Sequence, residues 1–73
     1  MEKKLTKKQE QIVRLVALGK TNKEIALELG LSVATVGVHK NNIMKKLGTH
    51  KSVILCLYAI KTGLVNIDVW ELK

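Results

Sequence analysis

The residues predict an all-α chain, a four-helix bundle containing a helix-turn-helix, and three observations carry that expectation. Thr6-Lys7-Lys8-Gln9 and Thr21-Asn22-Lys23-Glu24 each place a hydroxyl three residues before an amide or carboxylate, the reciprocal arrangement that opens a helix. Apolar residues then recur at helical spacing until a glycine closes each run, at Gly19, Gly30, Gly48 and Gly63. No proline interrupts the 73 residues, so the chain reads as one small domain spanning 1–73.

The first helix starts after Thr6, with Leu5 placed to staple against it. Ile12, Leu15, Val16 and Gly19 share one face, with Val13 on its flank. Lys3, Lys4, Lys7 and Lys8 lie near the positive end of this helix's dipole, where cations are mildly unfavourable. They read as solvated charges or as phosphate contacts rather than as stabilising elements.

The second helix follows Thr21, places Ile25, Ala26 and Leu29 at helical spacing, and stops at Gly30. Ser32 caps a third helix over Val33 to Leu47, with Thr35 at its third position and Gly48 at its end. Two helices crossing steeply need a small residue at the contact, a glycine in the turn and an apolar anchor on the second helix. Ala26, Gly30 and Val36 supply these, which is the helix-turn-helix pattern. At about 100° per residue, Val33, Val36, His39, Lys40, Ile43 and Leu47 form the inner stripe of the third helix. The opposite face holds Ala34, Val38, Asn41 and Lys45, flanked by Thr35, Gly37 and Asn42. It is uncharged at its start and basic at its end, which suits insertion of the helix's first half into a major groove.

A fourth helix is expected over Ser52 to Lys61, with Thr49 or Ser52 as cap and Gly63 at its end. Val53 to Ile60 is apolar nearly all round, so one side covers the core and the other requires a cover of its own. A second copy of the chain would supply it, with Val53, Cys56, Leu57 and Ile60 as the dimer face. Alternatively the tail from Val65 to Leu72 folds back, using Ile67, Val69, Trp70 and Leu72.

Composition narrows the function. Thirteen Lys and Arg against six Asp and Glu give a formal charge of +7, which points to a polyanion: nucleic acid first, an anionic membrane second. Excess charge of this size also serves solubility alone. Lysines spread over several helices argue against membrane docking, and no apolar run approaches the ~18 residues that span a bilayer. Tyr58 and Trp70 are the two aromatics, too few for base-stacking on single strands. The single cysteine, Cys56, implies a reducing compartment and reads as a small buried apolar residue, and with no signal peptide or membrane span visible a cytoplasmic setting is expected. No acid and base pair, activated nucleophile or phosphate-cradling loop suggests an enzyme, so no catalytic residue is expected. His39 and His50 lack Cys or carboxylate partners at ligand spacing, so neither a metal nor a cofactor is expected.

Leu5-Thr6, Ile12, Leu15, Thr21 to Ala26, Leu29, Leu31-Ser32, Thr35-Val36, His39, Asn42-Ile43, Lys46 to Gly48, Tyr58-Ala59 and Gly63 to Val65 together resemble the LuxR-type, or GerE-like, DNA-binding domain. This is the effector domain of many bacterial two-component response regulators. The resemblance covers residues 5–65 and leaves 66–73 as a tail. It implies a dimeric transcriptional regulator that reads double-stranded DNA with its third helix and pairs through its fourth. If the chain is a fragment, it also implies an upstream receiver or sensor domain. Thr21, Asn22 and Lys23 then fall at the backbone-facing start of the second helix. Thr35, His39, Asn42 and Lys46 match the third-helix signature and would contact phosphates or support that surface. Val38 and Asn41 take groove-facing positions, where valine meets a thymine methyl and asparagine bridges adenine N6 and N7. Lys23, Lys40, Lys45 and Lys46 would hold phosphates, Lys40 from the edge of the core.

Three positions depart from the family pattern. Gly37 replaces a usual Lys or Arg, which removes a groove cation and costs about 1 kcal/mol of helix propensity. Gln9 and Gln11 replace acidic residues, which raises the net charge and loosens any pairing they made. Ser52 replaces a frequent Arg at the start of the fourth helix. Two competing readings keep the same architecture: a promoter-recognising sigma-factor domain, and a protein-interaction module that has lost DNA reading. The apolar fourth helix and Gly63-Leu64-Val65 favour the LuxR type over the first. Salt-sensitive DNA binding separates it from the second.

Overall fold

Four helices account for the regular structure of the computed structural model, which describes residues 4–66: α1 Lys7–Ala17, α2 Asn22–Leu29, α3 Val33–Leu47 and α4 Val53–Lys61. No strand occurs among the described residues. Helix α1 is the hub. It packs on α2, α3 and α4, while α2 and α3 pack on each other. Ile12 and Val13 of α1, Ile25 of α2, Val36 and Ile43 of α3, and Leu55 and Ala59 of α4 are completely buried. Leu5, Leu15, Ala26 and Val65 complete the core.

Local chemistry sets three of the four starts. The Thr6 hydroxyl accepts from the Gln9 N–H at 3.1 Å, and the Gln9 side-chain oxygen accepts from the Thr6 N–H at 3.0 Å. Thr21 and Glu24 repeat the exchange at 3.1 and 2.8 Å. Ser32 caps α3 by accepting from the Thr35 N–H at 3.0 Å. Each pair satisfies amide donors that the first turn of a helix leaves without partners. The ends are equally local. Gly30, at φ +69°, and Gly48, at φ +68°, adopt the left-handed conformation that reverses the chain after α2 and α3.

Three expectations require correction. Helix α4 runs Val53–Lys61 with Ser52 at its N-cap position, but neither Ser52 nor Thr49 caps it through a side chain. Ser52 is itself helical, at φ −64° and ψ −24°, so the helix is entered through a tight turn. In that turn Ile54 and Leu55 donate to the carbonyls three residues earlier, and Thr49 instead accepts from the Lys51 N–H at 3.0 Å. Val13 occupies the centre of the buried face of α1, whereas Val16 is only half-buried, because α1 is covered from three directions. On α3 the inner stripe narrows to Val36 and Ile43. His39, Lys40 and Leu47 are half-buried and Val33 is exposed.

After α4 the chain turns back on itself. The Leu64 and Val65 amides both donate to the Ala59 carbonyl, at 2.9 and 3.3 Å, and Val65 enters the core. The remainder of the fold-back expectation, on Ile67, Val69, Trp70 and Leu72, lies outside the described residues, as does Lys3.

Burial predicts where truncation hurts. In urea unfolding, Ile43→Ala should cost about 2–5 kcal/mol. Leu27→Ala, on a side chain 86 % exposed, should stay within about 0.5 kcal/mol. Gly37 sits inside α3 with open space where a Cβ would stand, so Gly37→Ala should stabilise by about 1 kcal/mol. The Glu24 carboxyl is held below its ordinary range, chiefly by the Thr21 backbone N–H, then by its hydroxyl, with a small contribution from Lys20. In the unfolded chain that carboxyl returns to its ordinary range. Its contribution is therefore present above that range and is lost as pH falls through the folded value. Thermal melts of Glu24→Gln, which keeps the acceptor without the charge, should depend less on pH across the carboxylate range than those of the wild type.

Candidate nucleic-acid interface

Packing α3 on α1 and α2 through Val36 and Ile43 turns its opposite side to solvent. Ala34, Thr35, Val38, Asn41, Asn42 and Lys45 are all exposed there, so the expected reading face is presented as one surface. Val38 is 57 % exposed, an aliphatic side chain projecting from the middle of a helix with no internal role. Asn41 and Lys45 also border an open depression with Met44, Gly48, Thr49 and His50 at the end of α3. Gly37 leaves the centre of the face without bulk or charge.

Electrostatics favours an anion along this side of the molecule. Between Glu28 and Asp68 the chain contains no carboxylate, while Lys40, Lys45, Lys46, Lys51 and Lys61 all lie within that stretch. Helix α3 and the loop after it therefore carry only positive and neutral side chains. At its first turn, exposed N–H groups and the Ser32 and Thr35 hydroxyls, 2.8 Å apart, sit at the positive end of the helix dipole. Lys23 and Lys45 are exposed and have no hydrogen-bond partner among the described residues.

The lysines expected to act alike divide into two groups. Lys40 Nζ donates to Asn22 Oδ1 at 3.0 Å, so both residues are half-buried where α2 meets α3. Lys46 Nζ donates to Gln9 Oε1 at 2.8 Å and to the Lys4 carbonyl at 3.2 Å, which aims it at the start of α1. Gln9 thus engages both ends of this contact, its amide oxygen accepting from Lys46 and from the Thr6 N–H. Thr21 is engaged in its cap and remains exposed. His39 is half-buried on the flank of α3.

The expected dimer face divides in the same way. Val53, Leu57 and Ile60 are exposed, by 56, 55 and 44 %. Cys56 is half-buried, with its thiol directed at the Val16 carbonyl 3.9 Å away, at the edge of the α1–α4 contact. Among the described residues no helix is long and apolar enough to cross a membrane, and no group of three or more His, Cys, Asp or Glu could hold a metal. Sequence reasoning missed the Gln9–Lys46 contact and the contribution of Thr49 and His50 to the depression. The acid-free run from residue 29 to 67 was a readable signal for the second. Nothing in the spacing announced the first.

Comparison with known proteins gives this surface a context. The family described as "Bacterial regulatory proteins, luxR family" matches residues 3–59. An uncharacterized response regulatory protein of Escherichia coli K12, YgeK, is 46 % identical over 66 residues, covering 90 % of this chain and 45 % of YgeK. The transcriptional regulatory protein LiaR of Bacillus subtilis is 44 % identical over 62 residues, covering 85 % of this chain and 29 % of LiaR. The crystal structure of Escherichia coli SdiA superposes with a TM-score of 0.79 at 36 % identity, covering 90 % of this chain and 28 % of SdiA. The chain thus spans less than half the length of these proteins. With the match running through α1, α2, α3 and most of α4, the chain belongs to the luxR family of bacterial regulatory proteins.

Proposed function

We propose that this domain binds double-stranded DNA sequence-specifically, as a dimer, and so regulates transcription. The carrying observation is the exposed face of α3, which combines Ala34, Val38 and two amide side chains with a basic end and no carboxylate. Buried polar groups would need internal partners, whereas these face outward as a set of donors, acceptors and a methyl-bearing surface matched to base edges. The regulatory names of YgeK and LiaR support the same reading.

In this reading α3 enters the major groove by its first half. Val38 and Asn41 discriminate bases, while Lys23 and Lys45 hold phosphates on either side. Thr35 and the free amides of the first turn of α3 approach a backbone phosphate, joined by Thr21 at the start of α2. His39 and Asn42 support the phosphate side, and Asn22 and Lys40 brace it through their hydrogen bond. Val53, Leu57 and Ile60 form the centre of a two-fold α4 contact, with Cys56 at its rim. Two copies then present two α3 helices to half-sites about one helical turn apart.

Selection from a random duplex library, at low and at near-physiological salt, tests this. Enrichment of two related half-sites about 10 base pairs apart is expected; retention at neither salt would overturn the proposal. Asn41→Ala should relax the preference at one position of the enriched site and leave the others intact. A side chain at position 37 has room to extend, so Gly37→Lys should tighten binding and steepen the dependence of log K on log salt by about 0.9, the value of one phosphate contact. Titrations by fluorescence anisotropy across salt concentrations measure both quantities.

A further inference from the structure

We infer that Lys46 is a positioning residue for the reading face of α3, acting through Gln9, rather than one of its phosphate contacts. The inference rests on the DNA-binding reading above and concerns how that surface is aimed. Lys46 Nζ reaches Gln9 Oε1 at 2.8 Å and the Lys4 carbonyl at 3.2 Å, partners 37 and 42 residues away. Gln9 Oε1 accepts at the same time from the Thr6 N–H at 3.0 Å, and Gln9 is 7 % exposed. One oxygen therefore joins the cap of α1 to the last turn of α3.

What this bond adds is direction. Val36 and Ile43 hold α3 on the core through apolar contact, which resists separation but is weakly directional about the helix axis. A small rotation of α3 about that axis would give up only part of this burial yet shift Val38 and Asn41 off their targets. On the helical wheel Lys40 and Lys46 lie about 120° apart, one on each side of the Val36–Ile43 stripe. Lys40 is tied to α2 through Asn22, and Lys46 to α1 through Gln9. Two directional hydrogen bonds on opposite sides of the stripe fix the rotation that apolar packing leaves soft. Both acceptors of Lys46 are neutral, so this tie does not depend on a carboxylate being ionised.

The duplex enriched by the selection and a scrambled duplex of equal length separate aiming from charge. A positioning role predicts that Lys46→Met lowers the ratio of specific to scrambled affinity by roughly tenfold, within the range one mismatched base pair costs. The slope of log K against log salt should stay as in the wild type, and Lys46→Arg should recover the ratio. A slope reduced by about 0.9, with the ratio unchanged, is the signature of a lost phosphate contact and would overturn the inference. Should Lys46→Met fail to fold, Gln9→Glu gives the same decision. It keeps the tie and neutralises the ammonium, so the ratio and slope should hold, whereas a phosphate-binding Lys46 would weaken on both duplexes with a lower slope.

A DNA-free measurement distinguishes failure of this inference from failure of the DNA reading. Hydrogen exchange of the Thr6 amide, which donates to the same Gln9 oxygen, should accelerate in Lys46→Met. Unchanged exchange would overturn the inference even where no duplex is retained.

Discussion

The packing of Ile12 and Val13 against three other helices is the constraint on which the rest depends. A chain this short has room for a single core, and one helix must touch every other to make it. Helix α1 fills that role with its buried face and leaves Lys7, Lys8, Gln11 and Arg14 exposed on the other. Helix α4 covers one side of it with Leu55 and Ala59, and α2 and α3 cover the others. The outward surface of α3 is what this arrangement leaves free. The spacing of Val36 and Ile43 decides which side of α3 turns inward, and their packing leaves the opposite side in solvent.

Polar contacts then refine what apolar burial sets roughly. Among the described residues no buried side-chain nitrogen or oxygen lacks a hydrogen-bond partner, and the longest-range side-chain bonds all run between different helices or to the chain entering α1. Lysine suits such work because its stem lies along apolar surface while its ammonium reaches a distant acceptor. In α3 this divides the cations by task. Lys40 and Lys46 hold the helix to its neighbours, and Lys45 remains on the open face. A basic composition is therefore a poor guide to how many charges a nucleic acid would meet.

Two of the exposed apolar features differ in kind. Val38 stands among polar groups on α3, where a single aliphatic side chain gives shape to a polar surface. Val53, Leu57 and Ile60 lie together on α4, uncovered by any other helix among the described residues. The first suits contact with a base edge. The second has the continuity that pairing of two helices requires.

The sequence by itself determined the helices, their order and nearly all of their limits. Capping boxes, N-cap hydroxyls and left-handed glycines act across three or four residues, so Thr6–Gln9, Thr21–Glu24, Ser32–Thr35, Gly30 and Gly48 specify their turns without reference to the rest of the chain. At α4 the position of the cap was legible but its chemistry was not, because Ser52 is drawn into a helical turn and makes no side-chain cap bond. The exposed face of α3 was legible too, since periodicity separates Val36 and Ile43 from Val38 and Asn41. Only the tertiary structure decided where the long and marginal side chains go: Lys46 to Gln9 and Lys4, Lys40 to Asn22, the Cys56 thiol to Val16, and Val13 to the centre of the core. These destinations depend on which helices meet and at what angle. Contacts across 18 to 42 residues leave no periodic trace in the chain that makes them.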